Sequence, residues 1–261
     1  MTEDKKWVLI TGASSGIGKA LAFEFAAHGF NLFLTARNDD ALRRVAMECA
    51  QKFGVETKTR LTDLSNSKAV DELIQALSAS PIEILVNNAG FGVMGEFAQT
   101  SLETELKMLE VQLAATLKLT KALLPPMIVR KSGRILNVAS VYSFAPVPFQ
   151  SVYSACKAFM LSFSESLSEE LKGTGVSVTV VCPGTTQTEF RARAGIEEKN
   201  KSAGVTAEWV ARIAVRQTLK GKRLVVPGFL NRLFVFSARR LPVSLVPRLV
   251  RYINDKRGVN R

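Results

Sequence analysis

Short apolar runs alternate with longer stretches of helical periodicity along the whole chain. The runs Trp7–Thr11, Asn31–Thr35, Val55–Leu61, Ile82–Val86, Gly133–Ala139, Val176–Cys182 and Leu224–Val226 predict strands. Segments within them such as VLI and ILV have no polar face, which is expected when helices cover both sides of a parallel sheet. Between them, Gly16–His28, Ala41–Phe53, Ser67–Ala79, Leu102–Leu124, Val152–Lys172 and Ala207–Leu219 carry the helical pattern. Regular alternation of this kind calls for right-handed crossovers. The expected fold class is α/β: a single doubly wound, Rossmann-like domain with a parallel sheet of about seven strands and helices on both faces. That domain is expected over 1–228, with a separate extension over 229–261.

Open sheets of this type bind ligands beyond the carboxyl ends of their strands, so the loops that follow the strands hold the candidate chemistry. After the first strand comes Thr11-Gly12-Ala13-Ser14-Ser15-Gly16-Ile17-Gly18, a G-x-x-x-G-x-G turn that opens a helix. Its glycines permit a tight turn and close approach, and the helix N-terminus faces a pyrophosphate. Gly12, Ser14, Ser15, Gly16, Ile17 and Gly18 are therefore candidate cofactor-binding residues. The second strand ends Thr35-Ala36-Arg37-Asn38, with no carboxylate to bond the ribose hydroxyls of NAD. Arg37 suits the 2′-phosphate instead, which predicts NADP(H) over NAD(H).

Ser140 follows the fifth strand, and Tyr153 and Lys157 stand four apart on one face of the next predicted helix. Free tyrosine titrates near ~10, too high for an acid/base at neutral pH. A lysine ammonium ~4.5 Å away supplies about 3.7 kcal/mol at an effective dielectric of 20, or roughly 2.7 pKa units. In this reading Ser140 holds a carbonyl oxygen, Tyr153 protonates it, and hydride arrives at carbon.

Thr11–Gly18, Asp63-Leu64, Asn87-Asn88-Ala89-Gly90, Ser140, Tyr153, Lys157 and Pro183-Gly184 with Thr188 occur in this order. Together they resemble the short-chain dehydrogenase/reductase family over about residues 7 to 228. NNAGFGVMGEF, GRILNVAS and ELKGTGVSVTVVCPGTTQTEF are similar to a bacterial branch that includes reductases of long-chain 3-oxoacyl groups and of hydroxysteroids. The resemblance implies that Asp63 bonds the adenine amine and Leu64 packs beside the ring. It also implies that Asn88, Ala89 and Gly90 line the adenosine ribose, and that Lys157 holds the nicotinamide ribose. Pro183 and Gly184 belong to the same cofactor site, with Thr186 and Thr188 orienting the carboxamide. Where the family carries an asparagine that helps hold a proton-relaying water, this chain has Gln112, one methylene longer.

Phe91, Met94, Val141, Phe144, Val147, Phe149 and Phe190 are expected to face the substrate, favouring a small apolar ketone, aldehyde or alcohol. The polar segment 191–204 is expected to act as a lid. The three cysteines have neither paired nor metal-ligand spacing, and His28 is the sole histidine, so no metal is expected. The N-terminus has no signal-like run and no stretch approaches the ~18 apolar residues of a span, which predicts a cytoplasmic protein.

Net charge is +12, yet from Lys220 onward eleven Lys and Arg face one acidic residue, leaving the body nearly neutral. The extension interleaves those arginines with apolar residues, broken by Pro242 and Pro247. Two readings stay open: short amphipathic helices on an anionic membrane, or a tail packed over the pocket mouth. No nucleic-acid recognition module accompanies the charge, so no nucleic acid is expected. A homodimer is the expected assembly. The alternative to an enzyme is a cofactor-binding or membrane-surface protein of the same fold without turnover.

Overall fold

A computed structural model describes residues 6–77, 80–190, 194–195, 204–242 and 244–256. The strands are β1 (Trp7–Thr11), β2 (Asn31–Ala36), β3 (Thr57–Leu61), β4 (Ile82–Asn87), β5 (Gly133–Val138), β6 (Val176–Val181), β7 (Thr186–Gln187), β8 (Val205–Thr206) and β9 (Leu224–Val225). Seven form one parallel sheet in the order β3-β2-β1-β4-β5-β6-β9, while β7 and β8 make a separate parallel pair. The helices are α1 (Gly16–Ala27), α2 (Asp39–Phe53), α3 (Ser67–Leu77), α4 (Leu102–Leu109), α5 (Ala115–Val129), α6 (Ser151–Glu170), α7 (Ala207–Leu219), α8 (Phe229–Arg240) and α9 (Val246–Lys256).

Alternation along each strand sends neighbouring side chains to opposite layers. Val8 and Ile10 of β1 pack with Leu21 and Phe25 of α1, Leu42 of α2 and Ala211 of α7. Trp7 and Leu9 enter the other layer with Leu73 of α3, Leu119 of α5 and Leu167 of α6. Every residue of β1, β2 and β4 is buried, as their apolar runs require. β3 is one of the two edge strands, half-exposed, which explains its polar Thr57-Lys58-Thr59-Arg60. It begins at Thr57 rather than Val55, because Val55 is buried but precedes the pairing with β2.

Two departures from the hydropathy reading matter for the site. The helix expected over Leu102–Leu124 is split by a π-helical stretch, Glu110–Ala114, and runs on through Pro125 and Pro126 to Val129. The extension also folds onto the domain. Pro242 lies between its two helices, but Pro247 sits in the first turn of α9, where no intrahelical N–H is needed. Val246 and Val250 of α9 pack against Ala145 and Val147, joined by Tyr142 and Phe234. α8 and α9 thus cover the segment between β5 and α6. No helix among the described residues is long and apolar enough to cross a membrane.

Candidate active site

The order of the sheet reverses at β1, and a cleft of about 990 Å³ opens there, beyond the carboxyl ends of the strands. Its floor is the turn after β1. Gly12 and Gly16 have φ of +66° and +54°, the left-handed region open to glycine. A Cβ on Gly18 would lie 2.1 Å from the Gly12 carbonyl oxygen. Asn88 braces this turn, its Nδ2 donating to the carbonyls of Thr11 at 2.8 Å and Gly12 at 3.3 Å. Thr11 Oγ1 in turn accepts from the backbone N–H groups of Asn88 and Ala89, both at 3.0 Å. The first turn of α1 has neither a side-chain cap from Ser15 nor an acidic residue, and its Gly16, Ile17 and Gly18 line the cleft.

Arg37 lines the cleft just past β2, and Arg44, one turn into α2, joins it. Neither forms an ion pair among the described residues. Sequence reading missed Arg44, whose only signal was a helix leaving directly from the Arg37 loop. Asp63 is exposed and lies outside the cleft wall, while Leu64 is part of it. Partial burial pushes the Asp63 carboxyl up, but bonds from the Ser65 N–H and hydroxyl, with Arg37 and Lys107, bring it net below its ordinary range.

The candidate acid/base sits at the end of β5 and the start of α6. Tyr153 and Lys157 are both buried, with Ser140 beside them. Lys157 Nζ donates to the Val138 carbonyl at 3.0 Å and lies 5.6 Å from the centre of the Tyr153 ring. Burial raises the Tyr153 phenol above its ordinary value, against the hydrogen bond from Ser140. Burial also lowers Lys157 to about 8. Both directions run against the expectation of a phenol brought toward neutrality by Lys157, and burial is the largest cause of each.

Behind this pair runs a buried polar chain that sequence reading did not single out. Asn87 Nδ2 donates to Asn137 Oδ1 at 2.8 Å, and Asn137 Nδ2 donates to Ser164 Oγ at 2.8 Å. It ties β4, β5 and α6 together beneath Lys157. An asparagine inside the apolar run ILNV was the available signal. Gln112 occupies the π-helical stretch, almost fully buried and off the cleft wall. Its Nε2 donates to the Phe91 carbonyl at 3.0 Å, while Oε1 has no partner among the described residues.

Pro183, Gly184, Thr186 and Thr188 line the cleft together with Ala89, Gly90, Phe91 and Phe190. Phe190 packs on the Tyr153 ring at 5.4 Å. Met94, Phe144 and Phe149, expected to face the substrate, lie outside the cleft wall. Met94 takes a contact from Gln150 Nε2, and the Phe144 and Phe149 rings lie under the guanidinium groups of Arg239 and Arg251. In their place α8 and α9 contribute Leu230, Asn231, Phe234, Val250, Ile253 and Asn254. Most of the proposed lid, 191–204, lies outside the described residues.

A doubly wound sheet with a glycine turn and a cleft at its switch point is the architecture of a nucleotide-binding α/β protein. A family model described as short chain dehydrogenase matches residues 6–199. The chain is 38% identical over 184 residues to the very-long-chain 3-oxoacyl-CoA reductase of Mus musculus, covering 68% of this chain and 58% of that protein. It is 32% identical over 271 residues to the ketoacyl reductase HetN of Nostoc, covering 98% and 93%. A short-chain dehydrogenase from Sphingobium yanoikuyae in complex with NADPH has a TM-score of 0.83 at 32% identity, covering 90% and 93%. The chain thus spans under two thirds of the length of the mammalian relatives it matches. It belongs to the short-chain dehydrogenase/reductase family.

Proposed function

We propose that the chain is an NADP(H)-dependent reductase of an apolar carbonyl compound, acting in the cytoplasm. The observation that carries this reading is the burial of Tyr153, Lys157 and Ser140 together on one wall of the cleft whose floor is the glycine turn. The cleft suits the cofactor. The first-turn N–H groups of α1 meet a pyrophosphate, and the bare Cα of Gly18 lets that turn pack against the Gly12 carbonyl and Asn88. Arg37 and Arg44, both on the cleft wall, suit a 2′-phosphate. The NADPH complex of the Sphingobium relative supports the same choice.

When bound, NADP(H) supplies or accepts the hydride. The chain does the rest. Ser140 holds the substrate oxygen, and the Tyr153 hydroxyl gives it a proton. A phenol kept protonated by burial is the form a reductase needs, whereas the reverse reaction starts from the ionised form. Lys157, held by the Val138 carbonyl, stabilises the phenolate left behind. Gln112 Oε1, buried and without a partner among the described residues, supports a role as acceptor for the water of the proton relay. The test is NADPH oxidation with a panel of apolar ketones and aldehydes, and a folded, NADPH-binding protein inert to all of them would defeat the reading.

Arg37→Ala should weaken NADPH binding by about 1.5–3 kcal/mol, roughly ten- to a hundredfold, and leave NADH nearly untouched. Titrating both cofactors into both proteins decides it, and equal losses would remove the phosphate role. Assembly as a homodimer belongs to the same reading, supported by the exposed apolar side chains of Leu102 and Leu106 along α4.

A second property has its own support. Packing of α8 and α9 leaves Phe229, Leu233, Phe236 and Tyr252 exposed. Arg232, Arg239, Arg240, Arg248 and Arg251 are exposed on the same two helices. This surface suits peripheral contact with anionic membranes at ~1 kcal/mol per engaged cation. The full chain should sediment with anionic but not neutral vesicles, and release as salt shortens the Debye length. Leu233→Ser with Phe236→Ser should abolish it. Salt-insensitive binding, or none, would leave the extension as a wall of the cleft alone.

A further inference from the structure

The inward stripe of α9 is Val246, Val250 and Asn254, spaced four apart and each only 4% exposed. The two valines rest on Ala145 and Val147, so that part of the stripe is ordinary core. Asn254 continues the stripe past this contact and lines the cleft, whose wall also includes Ile253, Phe190 and Phe234. Its Nδ2 is buried and has no hydrogen-bond partner among the described residues. An amide buried without a partner costs free energy that a leucine in the same place would not. Asn254 thus lines the cleft while its amide keeps a donor that no described residue uses.

We propose that Asn254 is a substrate-recognition residue, its amide N–H donating to a second oxygen of the substrate. That oxygen is distinct from the carbonyl addressed by Tyr153 and Ser140. The substrate class narrows accordingly to an apolar carbonyl compound carrying a further acceptor such as an ester, amide or hydroxyl oxygen. A site with a buried donor discriminates strongly against an analogue that leaves the donor unpaired. The inference rests on the carbonyl-reductase reading of the cleft, and it assigns the extension a role in specificity.

The experiment compares the full-length wild type with Asn254→Leu. The probes are a straight-chain methyl ketone and a series of keto methyl esters of the same length, with the ester set progressively farther from the ketone. The wild type should prefer one ester position over the plain ketone. In the variant, kcat/KM for that keto ester should fall about ten- to a hundredfold, while the plain ketone and NADPH affinity are unchanged. Without substrate, the variant should melt about 2–4 °C higher, because an unpaired amide has been removed. Equal losses on ketone and keto ester, or weaker NADPH binding, would overturn the proposal. So would a lower melting temperature, which would show that the amide is paired within the protein. Should the wild type reduce no ketone, the reductase reading fails separately. The same series titrated into the NADPH-bound protein then decides the role of Asn254: ester-dependent binding lost in the variant upholds it, and identical binding by both proteins overturns it.

Discussion

Tyr153→Phe should keep the fold and the affinity for NADPH while turnover falls about 10²–10⁴-fold. The substitution removes one oxygen from a ring whose other contacts persist, including Phe190 at 5.4 Å and the packing against Met108 and Cys156. Only the transferable proton is lost, so the deficit should appear in kcat with KM little changed. Single-turnover kinetics with saturating NADPH measure the step directly. Turnover near that of the wild type on any accepted substrate would mean that another group donates the proton.

Gly18→Ala should have the next largest effect, on cofactor binding. The added methyl would stand 2.1 Å from the Gly12 carbonyl oxygen and 2.5 Å from Asn88 Nδ2. The first neighbour is backbone, and the second is the amide that ties the turn to β4, so neither yields cheaply. Overpacking of this kind costs about 1–3 kcal/mol, occasionally more. The turn must open to relieve it, and the N–H groups of α1 then lose their aim at the pyrophosphate. NADPH affinity should drop by about a hundredfold, with a lowered melting temperature in the cofactor-free protein. Calorimetric titration checks the first and a thermal melt the second; an alanine variant that binds NADPH like the wild type would refute this account of the turn.

The layered fold was legible because the sheet's central strands are largely buried and predominantly apolar. β1 begins and ends where its apolar run does, and α7 matches its helical pattern from Ala207 to Leu219. β7 and β8 were not foreseen, since two residues cannot display a period. The glycine turn, Ser140, Tyr153 and Lys157 could be found from spacing, and the structure gathers them around one cleft. What spacing could not convey was how dry their surroundings are, and burial is the largest influence on both Tyr153 and Lys157. The wall built by α8 and α9 was one of the two readings that the sequence left open. Their arginines and aromatic residues dominate the pattern, while the packing rests on a few small residues, Val235, Val246 and Val250. Pro247 looked like a break, but the first turn of a helix accepts proline readily.

The π-helical stretch at Glu110–Ala114 sets the phase of the long helical rod it interrupts. Each residue in a regular α-helix turns the rod by ~100°, and a π turn absorbs about one extra residue. α4 and α5 therefore present their buried sides in different directions: Met108 faces Tyr153 and Cys156, whereas Leu119 and Met127 face the sheet. A rod wound regularly throughout would have to choose between these neighbours. The stretch works as a coupling between two misaligned shafts, and Gln112 sits inside the coupling itself.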